Sequence, residues 1–231
     1  MIYEIAGLKV EMQPQFDRLK RQSEAYKSSG EPIIKLNFDA YGDADSSPIR
    51  RSDEDMEYIY GGAAFCQEII SYGRFFLHAS AVVYNGEAYL FSASSGVGKS
   101  THTALWLKEF SGSYILNDDK PVIFPHKDKV YAYGTPFSGK TDLHVNRKVP
   151  LRAICFLSQG KENSIAQIDE DRAIALILNN TYRPKNAEGM NLLFDMIGQV
   201  IERTNIFEMS CRKESAAALM AYKAMKGKCF L

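Results

Sequence analysis

The run Ser92-Ala93-Ser94-Ser95-Gly96-Val97-Gly98-Lys99-Ser100-Thr101 gathers the residue types that hold a phosphate. Leu90-Phe91 before it are apolar and read as a strand end; Ala104, Leu105, Leu107 and Phe110 after it follow a helical period. In a strand–loop–helix order the first helical N–H groups have no internal partner and carry the positive end of the helix dipole. Phosphate oxygens satisfy such groups. Gly96 and Gly98 let the backbone curl around an anion, Lys99 adds a point charge, and Ser100 offers a hydroxyl to Mg²⁺. Ser94, Ser95, Val97 and Thr101 complete the expected cradle. The G-x-x-x-x-G-K-[ST] pattern lacks its first glycine, because Ala93 stands there. The competing reading is a Gly/Ser turn with an incidental lysine.

Asp118-Asp119 follow the apolar run Tyr114-Ile115-Leu116, at the carboxyl end of an expected strand, where α/β sheets gather ligands. One carboxylate can hold Mg²⁺ and the other accept the proton of an attacking hydroxyl; which does which stays open. The alternative is a pair of turn formers. The segment Gly134–Lys140 is a second glycine-bearing loop. Its Lys140, and Arg147 beyond it, are candidates for contact with a substrate or a γ-phosphate; solvated surface cations are the alternative. His78 lies on an apolar strand, where a satisfied core histidine competes with an active-site role. His102, in the first helical turn, reads as packing or solvent exposure, since the dipole disfavours a charged imidazole there.

These groups need elements to place them. Residues 1–60 are expected to form a β-rich N-terminal layer packed on the core: a hairpin over 2–12, a polar helix over 16–28, a strand over 32–38 and an exposed loop over 41–55. Residues 61–231 are expected to form a nucleotide-binding core. There the pattern predicts a helix over 63–72, a strand over 75–84, an Asn85-Gly86 hairpin turn and a strand over 87–92. Further strands are predicted at 114–116, 121–124, 129–133, 150–157 and 206–211, with helices at 170–179, 189–203 and 213–225. The fold class is α/β (α+β), with mixed strand-rich sheets and C-terminal helices.

The 231 residues are 45% hydrophobic, enough for a sizeable core. Lys+Arg 28 against Asp+Glu 28 gives no net charge, which argues against nucleic acid or an anionic membrane as partner. Cys66, Cys155, Cys211 and Cys229 show no zinc spacing, and Cys66 and Cys155 sit in apolar runs that suit buried thiols. No basic-then-apolar leader and no apolar run of membrane length is visible, so a soluble, cytoplasmic protein is expected.

His78-Ala79-Ser80-Ala81-Val82-Val83, then Leu90–Thr101, then Leu116-Asn117-Asp118-Asp119 resembles the core of HPr serine kinase/phosphorylase, and of ATP-dependent phosphoenolpyruvate carboxykinase, which shares that nucleotide site. The resemblance spans about residues 74–160. It implies a P-loop core distinct from the Rossmann type, ATP and Mg²⁺ as cofactors, and transfer of the γ-phosphoryl group to a serine hydroxyl of a peptide or protein. Lys99 and Ser100 would take phosphate and metal roles, Asp118 and Asp119 base and metal roles, and His78 matches a histidine near the active site. A homo-oligomer is implied as well. Ser94-Ser95-Gly96 lacks the family's acid, Thr101 replaces its glutamate, and Gly134–Lys140 replaces its later Glu-x-Arg-Gly, which argues against HPr as substrate and against a reverse activity. A nucleotide-binding regulatory module and a small-molecule kinase are the rival readings. The role of residues 1–60 stays open; docking of substrate is one hypothesis.

Overall fold

A computed structural model describes residues 1–38 and 51–227. Strands β1 (Ile2–Ile5) and β2 (Leu8–Glu11) form a hairpin through Ala6-Gly7, both at positive φ. Helix α1 (Asp17–Ser23) follows, then the two-residue strands β3 (Lys27–Ser28) and β4 (Ile34–Lys35). The sheet order is β3-β1-β2-β4. Alternation turns Tyr3, Ile5, Leu8 and Val10 inward, and they share one apolar core with Tyr58, Phe65 and Ile69 of the next helical region and with Val122 and Phe137.

Helix α2 (Asp53–Glu68) opens where Ser52 Oγ accepts the Asp55 N–H, with Asp53, Glu54 and Asp55 in its first turn. The large sheet comprises β5 (Phe75–Phe76), β6 (Ala79–Tyr84), β7 (Glu87–Ser92), β8 (Tyr114–Asn117), β9 (Val122–His126), β10 (Lys129–Tyr133), β11 (Lys148–Gln159), β12 (Ser164–Gln167) and β13 (Asn205–Cys211). Its order is β5-β9-β10-β11-β7-β6-β8, with β13 also on β11 and β12 outside β13. The start of β11 pairs antiparallel with β10; the remainder runs parallel to β7 and β13.

Helices cover both faces. Ala79, Ala81, Val83, Ala88 and Leu90 pack with Ile177 of α4 (Glu170–Asn179) and Leu193 and Ile197 of α5 (Ala187–Arg203). Val82, Tyr89 and Phe91 pack on the other face with Trp106 of α3 (Lys99–Glu109) and Ala217, Ala221 and Met225 of α6 (Ser215–Met225). The result is a mixed α/β fold with strand-rich sheets, as the pattern predicts.

Several boundaries differ from the sequence reading. The helix expected over 63–72 begins ten residues earlier, because Ser52 and three acidic residues cap it inside the stretch read as loop. Residues 41–50 of that stretch, and Cys229, lie outside the described residues. The single strand expected over 75–84 is two, interrupted at Leu77-His78, where the Leu77 N–H bonds Pro121 O and the His78 N–H bonds Asn180 O. The expected strand over 32–38 pairs only at Ile34 and Lys35, and the polar edge strand β12 goes unannounced. Asn85 and Gly86 both take positive φ, the form a two-residue hairpin turn needs.

Candidate active site

Adjacent β6, β7 and β8 converge on one cleft. β7 runs into residues 93–98 and straight on into α3. Gly96 sits at φ 81° and Gly98 at φ 123°, conformations that side chains resist. Space around Gly96 is open to 4 Å, so its requirement is backbone conformation alone. α3 starts at Lys99 with no side-chain cap and no acid in its first turn. Its opening amides therefore lack the usual protein acceptor and favour an anion. Lys99 is buried; its Nζ donates to Ala93 O at 2.9 Å across the loop. Burial lowers its pKa, and nearby Asp119 and Asp118 oppose that shift.

β8 delivers the acidic pair. Buried Asn117 organises the turn: its Oδ1 accepts the N–H of Asp119 (3.0 Å) and of Lys120 (2.7 Å), while its Nδ2 donates to Thr135 O (2.8 Å). Asp119 bonds Lys120 Nζ at 2.5 Å and lies 3.4 Å from His78 Nε2. Burial pulls the Lys120 ammonium down, but Asp119 and Tyr58 outweigh it and hold it above the usual lysine value. Burial, then Lys99, push the His78 pKa below its ordinary value against Asp119, so the ring is neutral at pH 7. Asp118 is nearly buried. Its Oδ2 accepts from Thr141 Oγ1 at 2.8 Å, and its Oδ1 has no hydrogen-bond partner. An anionic oxygen out of water and without a donor fits a cation.

A further wall, packed against the aspartate pair, is the segment 134–141. Thr135 Oγ1 donates to Lys120 O at 2.8 Å, and the Gly139 N–H donates to the Tyr58 hydroxyl at 2.7 Å. Burial pushes the Tyr58 hydroxyl up to about 12. Gly139 lies so near Asp119 that a Cβ added there would stand 3.1 Å from the aspartate's own. The cleft these walls enclose measures about 830 Å³.

Of the residues singled out in the sequence, the cleft brings together His78, Ser95, Gly96, Gly98, Lys99, Ser100, Thr101, Asp118, Asp119 and Lys140. Ser94 and Val97 belong to the same loop without lining the cleft: the Val97 N–H bonds Ser94 O, and Val97 O accepts from Gln159. Arg147 stands apart, its guanidinium 5.6 Å over the Tyr114 ring. His102 is packing: it is buried 4.5 Å from the Phe91 ring, and burial lowers its pKa to about 4.

Arg18, Tyr58, Lys120 and Thr141 also line the cleft, and sequence reasoning passed over them. The Ser52 cap could have placed Tyr58 on a helix; nothing local announces Arg18. Among the described residues no three His, Cys, Asp or Glu side chains cluster into a metal site, so a cation held here needs oxygens from a ligand as well. No helix among them is long and apolar enough to cross a membrane.

Chemically, the cleft combines a seat for an anion, a buried ammonium, and two carboxylates in different settings. No curated protein matches the chain. Among solved structures, the Hpr(Ser) kinase/phosphatase from Coxiella burnetii is similar at 14% identity and a TM-score of 0.35, over 66% of this chain and 99% of that one. The family model described as SynChlorMet cassette protein ScmC matches residues 63–217, more than half of the 231 and inclusive of the 93–98 loop, the aspartate pair and the 134–141 wall. The chain belongs to the SynChlorMet cassette protein ScmC family.

Proposed function

We propose that this protein is an ATP- and Mg²⁺-dependent kinase that transfers the γ-phosphoryl group to a hydroxyl, most simply the serine of a peptide or protein. One observation carries the reading: the uncapped opening of α3, with Lys99 beside it, shares a cleft with Asp118 and Asp119. Phosphoryl transfer asks little covalent chemistry of a protein; it asks for positioning and for neutralised charge.

The amides that open α3 and the Lys99 ammonium would cradle the triphosphate. Ser100 and the unpartnered oxygen of Asp118 would hold Mg²⁺ together with phosphate oxygens. When bound, the ion neutralises charge on the β- and γ-phosphates. Asp119 would take the acceptor's proton, with neutral His78 beside it. In the transfer the acceptor oxygen bonds the γ-phosphorus and the bond to the β,γ-bridging oxygen breaks. ADP leaves with that electron pair, and the hydroxyl proton passes to the carboxylate. The resemblance of His78–Val83, Leu90–Thr101 and Leu116–Asp119 to the HPr kinase core supports the kinase reading; the order of the two aspartates rests on the unpartnered oxygen of Asp118 alone.

The test is incubation with γ-labelled ATP, Mg²⁺ and serine peptides, with Lys99→Ala alongside. Label on peptide that disappears in the variant supports the kinase. Tight magnesium-linked ATP binding without transfer supports a regulatory module instead. Absence of any such binding sinks both.

A further inference from the structure

Polar side chains of α1 lie along residues 138–142, in the segment that packs against the aspartate pair. Arg18 Nη2 donates to Gly139 O at 2.8 Å, and its Nη1 pairs with Asp55 at 2.6 Å. The same guanidinium rests 3.7 Å over the Tyr58 ring, whose hydroxyl accepts the Gly139 N–H. The N–H and the C=O of Gly139, on the two peptide groups that flank its Cα, are thus both held from outside the core sheet. One turn on, buried Gln22 Nε2 reaches Ser138 Oγ at 3.2 Å. Arg21 pairs with Asp142 at 3.0 Å, and Tyr26 OH meets His144 Nδ1 at 3.1 Å. Arg18 and Gln22 stand at the i, i+4 spacing of one face of α1, and Tyr26 follows in the 3-10 turn (Glu24–Tyr26) that continues it. The sequence separations are 116 to 121 residues, so the chain's beginning is brought here by folding alone.

What is held bears on both carboxylates. Gly139 packs against the Asp119 side chain, and Thr141, two residues on, donates to Asp118. We infer that α1, together with Tyr58 of α2, is a positioning element for the chemistry: Arg18 and Tyr58 fix the C=O and N–H of Gly139, and through that residue the attitude of both aspartates. This rests on the kinase reading. It gives the N-terminal layer a task, where the sequence leaves its role open.

The test uses the full chain with Arg18→Gln and Tyr58→Phe. The second keeps the ring under Arg18 and removes only the hydroxyl that accepts from Gly139, so it guards against a failure to fold. Two quantities are read: hydrogen exchange of the Gly139 amide in the ligand-free protein, and the split between kcat and the nucleotide KM. Expected are exchange at least about tenfold faster, kcat lower by roughly 10- to 100-fold, and KM for ATP within about twofold, since misplacement of reacting groups costs rate rather than nucleotide affinity. Unchanged exchange overturns the inference whatever the turnover. Faster exchange with unchanged kcat overturns it too, because the loop is then held for stability alone. A fall in ATP affinity equal to the fall in rate also counts against it. Wild-type protein that transfers no phosphoryl group defeats the kinase reading itself; active wild type with indifferent variants defeats only this step.

Discussion

Two loops line the cleft, and they are built on opposite plans. The 93–98 loop is sparsely tied: two glycines at positive φ, an uncapped helix start, and one lysine folded back on Ala93. The 134–141 loop is tied by the side chains of Asn117, Thr135, Tyr58, Arg18 and Gln22. On the kinase reading, a loop that opens an uncapped helix would receive the ligand. A loop whose polar groups are already satisfied is made to hold other side chains still. The difference says where binding ends and chemistry begins.

The contrast can be broken most decisively at the acidic wall. Asp119→Asn is expected to cut phosphoryl transfer by about 10³-fold while ATP still binds, the loss typical of a removed catalytic base. Single-turnover transfer of labelled phosphate measures it, and retention within tenfold would remove chemistry from this side.

The glycines then separate the two plans. At Gly134 an added Cβ would stand 1.9 Å from Val145 O and 2.6 Å from Leu116 O, both backbone atoms. Gly134→Ala should therefore destabilise the fold by about 3 kcal/mol, read as a lower urea midpoint. An unmoved midpoint would show the tied loop to be looser than its hydrogen bonds imply.

The helix behind the open loop adds an acid limit. His102 has its pKa lowered to about 4 by burial, below its unfolded value near 6.5. Its neutral form is thus favoured by folding. The stability this represents is present in full above pH 6.5 and drains away as pH falls toward 4, by about 2–3 kcal/mol. His102→Leu should flatten that limb of the stability–pH curve; a slope left intact would place the acid sensitivity elsewhere.

The smallest effect belongs to Gly96→Ala. No atom crowds the new methyl group, so only the positive φ is penalised, by about 1–2 kcal/mol. Because the loop is free to relax when empty, the cost should emerge as roughly tenfold weaker ATP binding by titration, with stability little changed. The reverse outcome, lost stability with affinity kept, would make the two loops alike.

Half of this contrast was written locally in the chain. The strand, glycines, lysine and helix of the open loop are contiguous, so spacing alone located them, and Leu116–Asp119 likewise carried its own strand end. The apolar runs of β6 and β7 and the Asn85-Gly86 turn were equally plain. The tied loop was opaque because its partners are distant: Arg18 reaches Gly139 across 121 residues and Tyr58 across 81. No periodicity encodes such pairings. Other misses did have signals. Ser52 followed by Asp53, Glu54 and Asp55 is a helix opening that a Gly- and Ser-rich neighbourhood disguised as loop. The break at Leu77-His78 was hidden because apolar residues continue on both sides, although the ladder partners change there.

β11 has a consequence of its own. Twelve residues extend roughly 40 Å, far enough for one strand to serve as the edge partner of β10 and then as an inner partner of β7 and β13. Its parallel neighbours are reached only after long excursions of chain, so it can settle into place only once much of the polypeptide has been gathered. Such a shared spine welds the meander of β9 and β10 to the layers around α3 and α5. Loosening either half would tug on the other, and the molecule should come apart as a single cooperative unit rather than leaf by leaf.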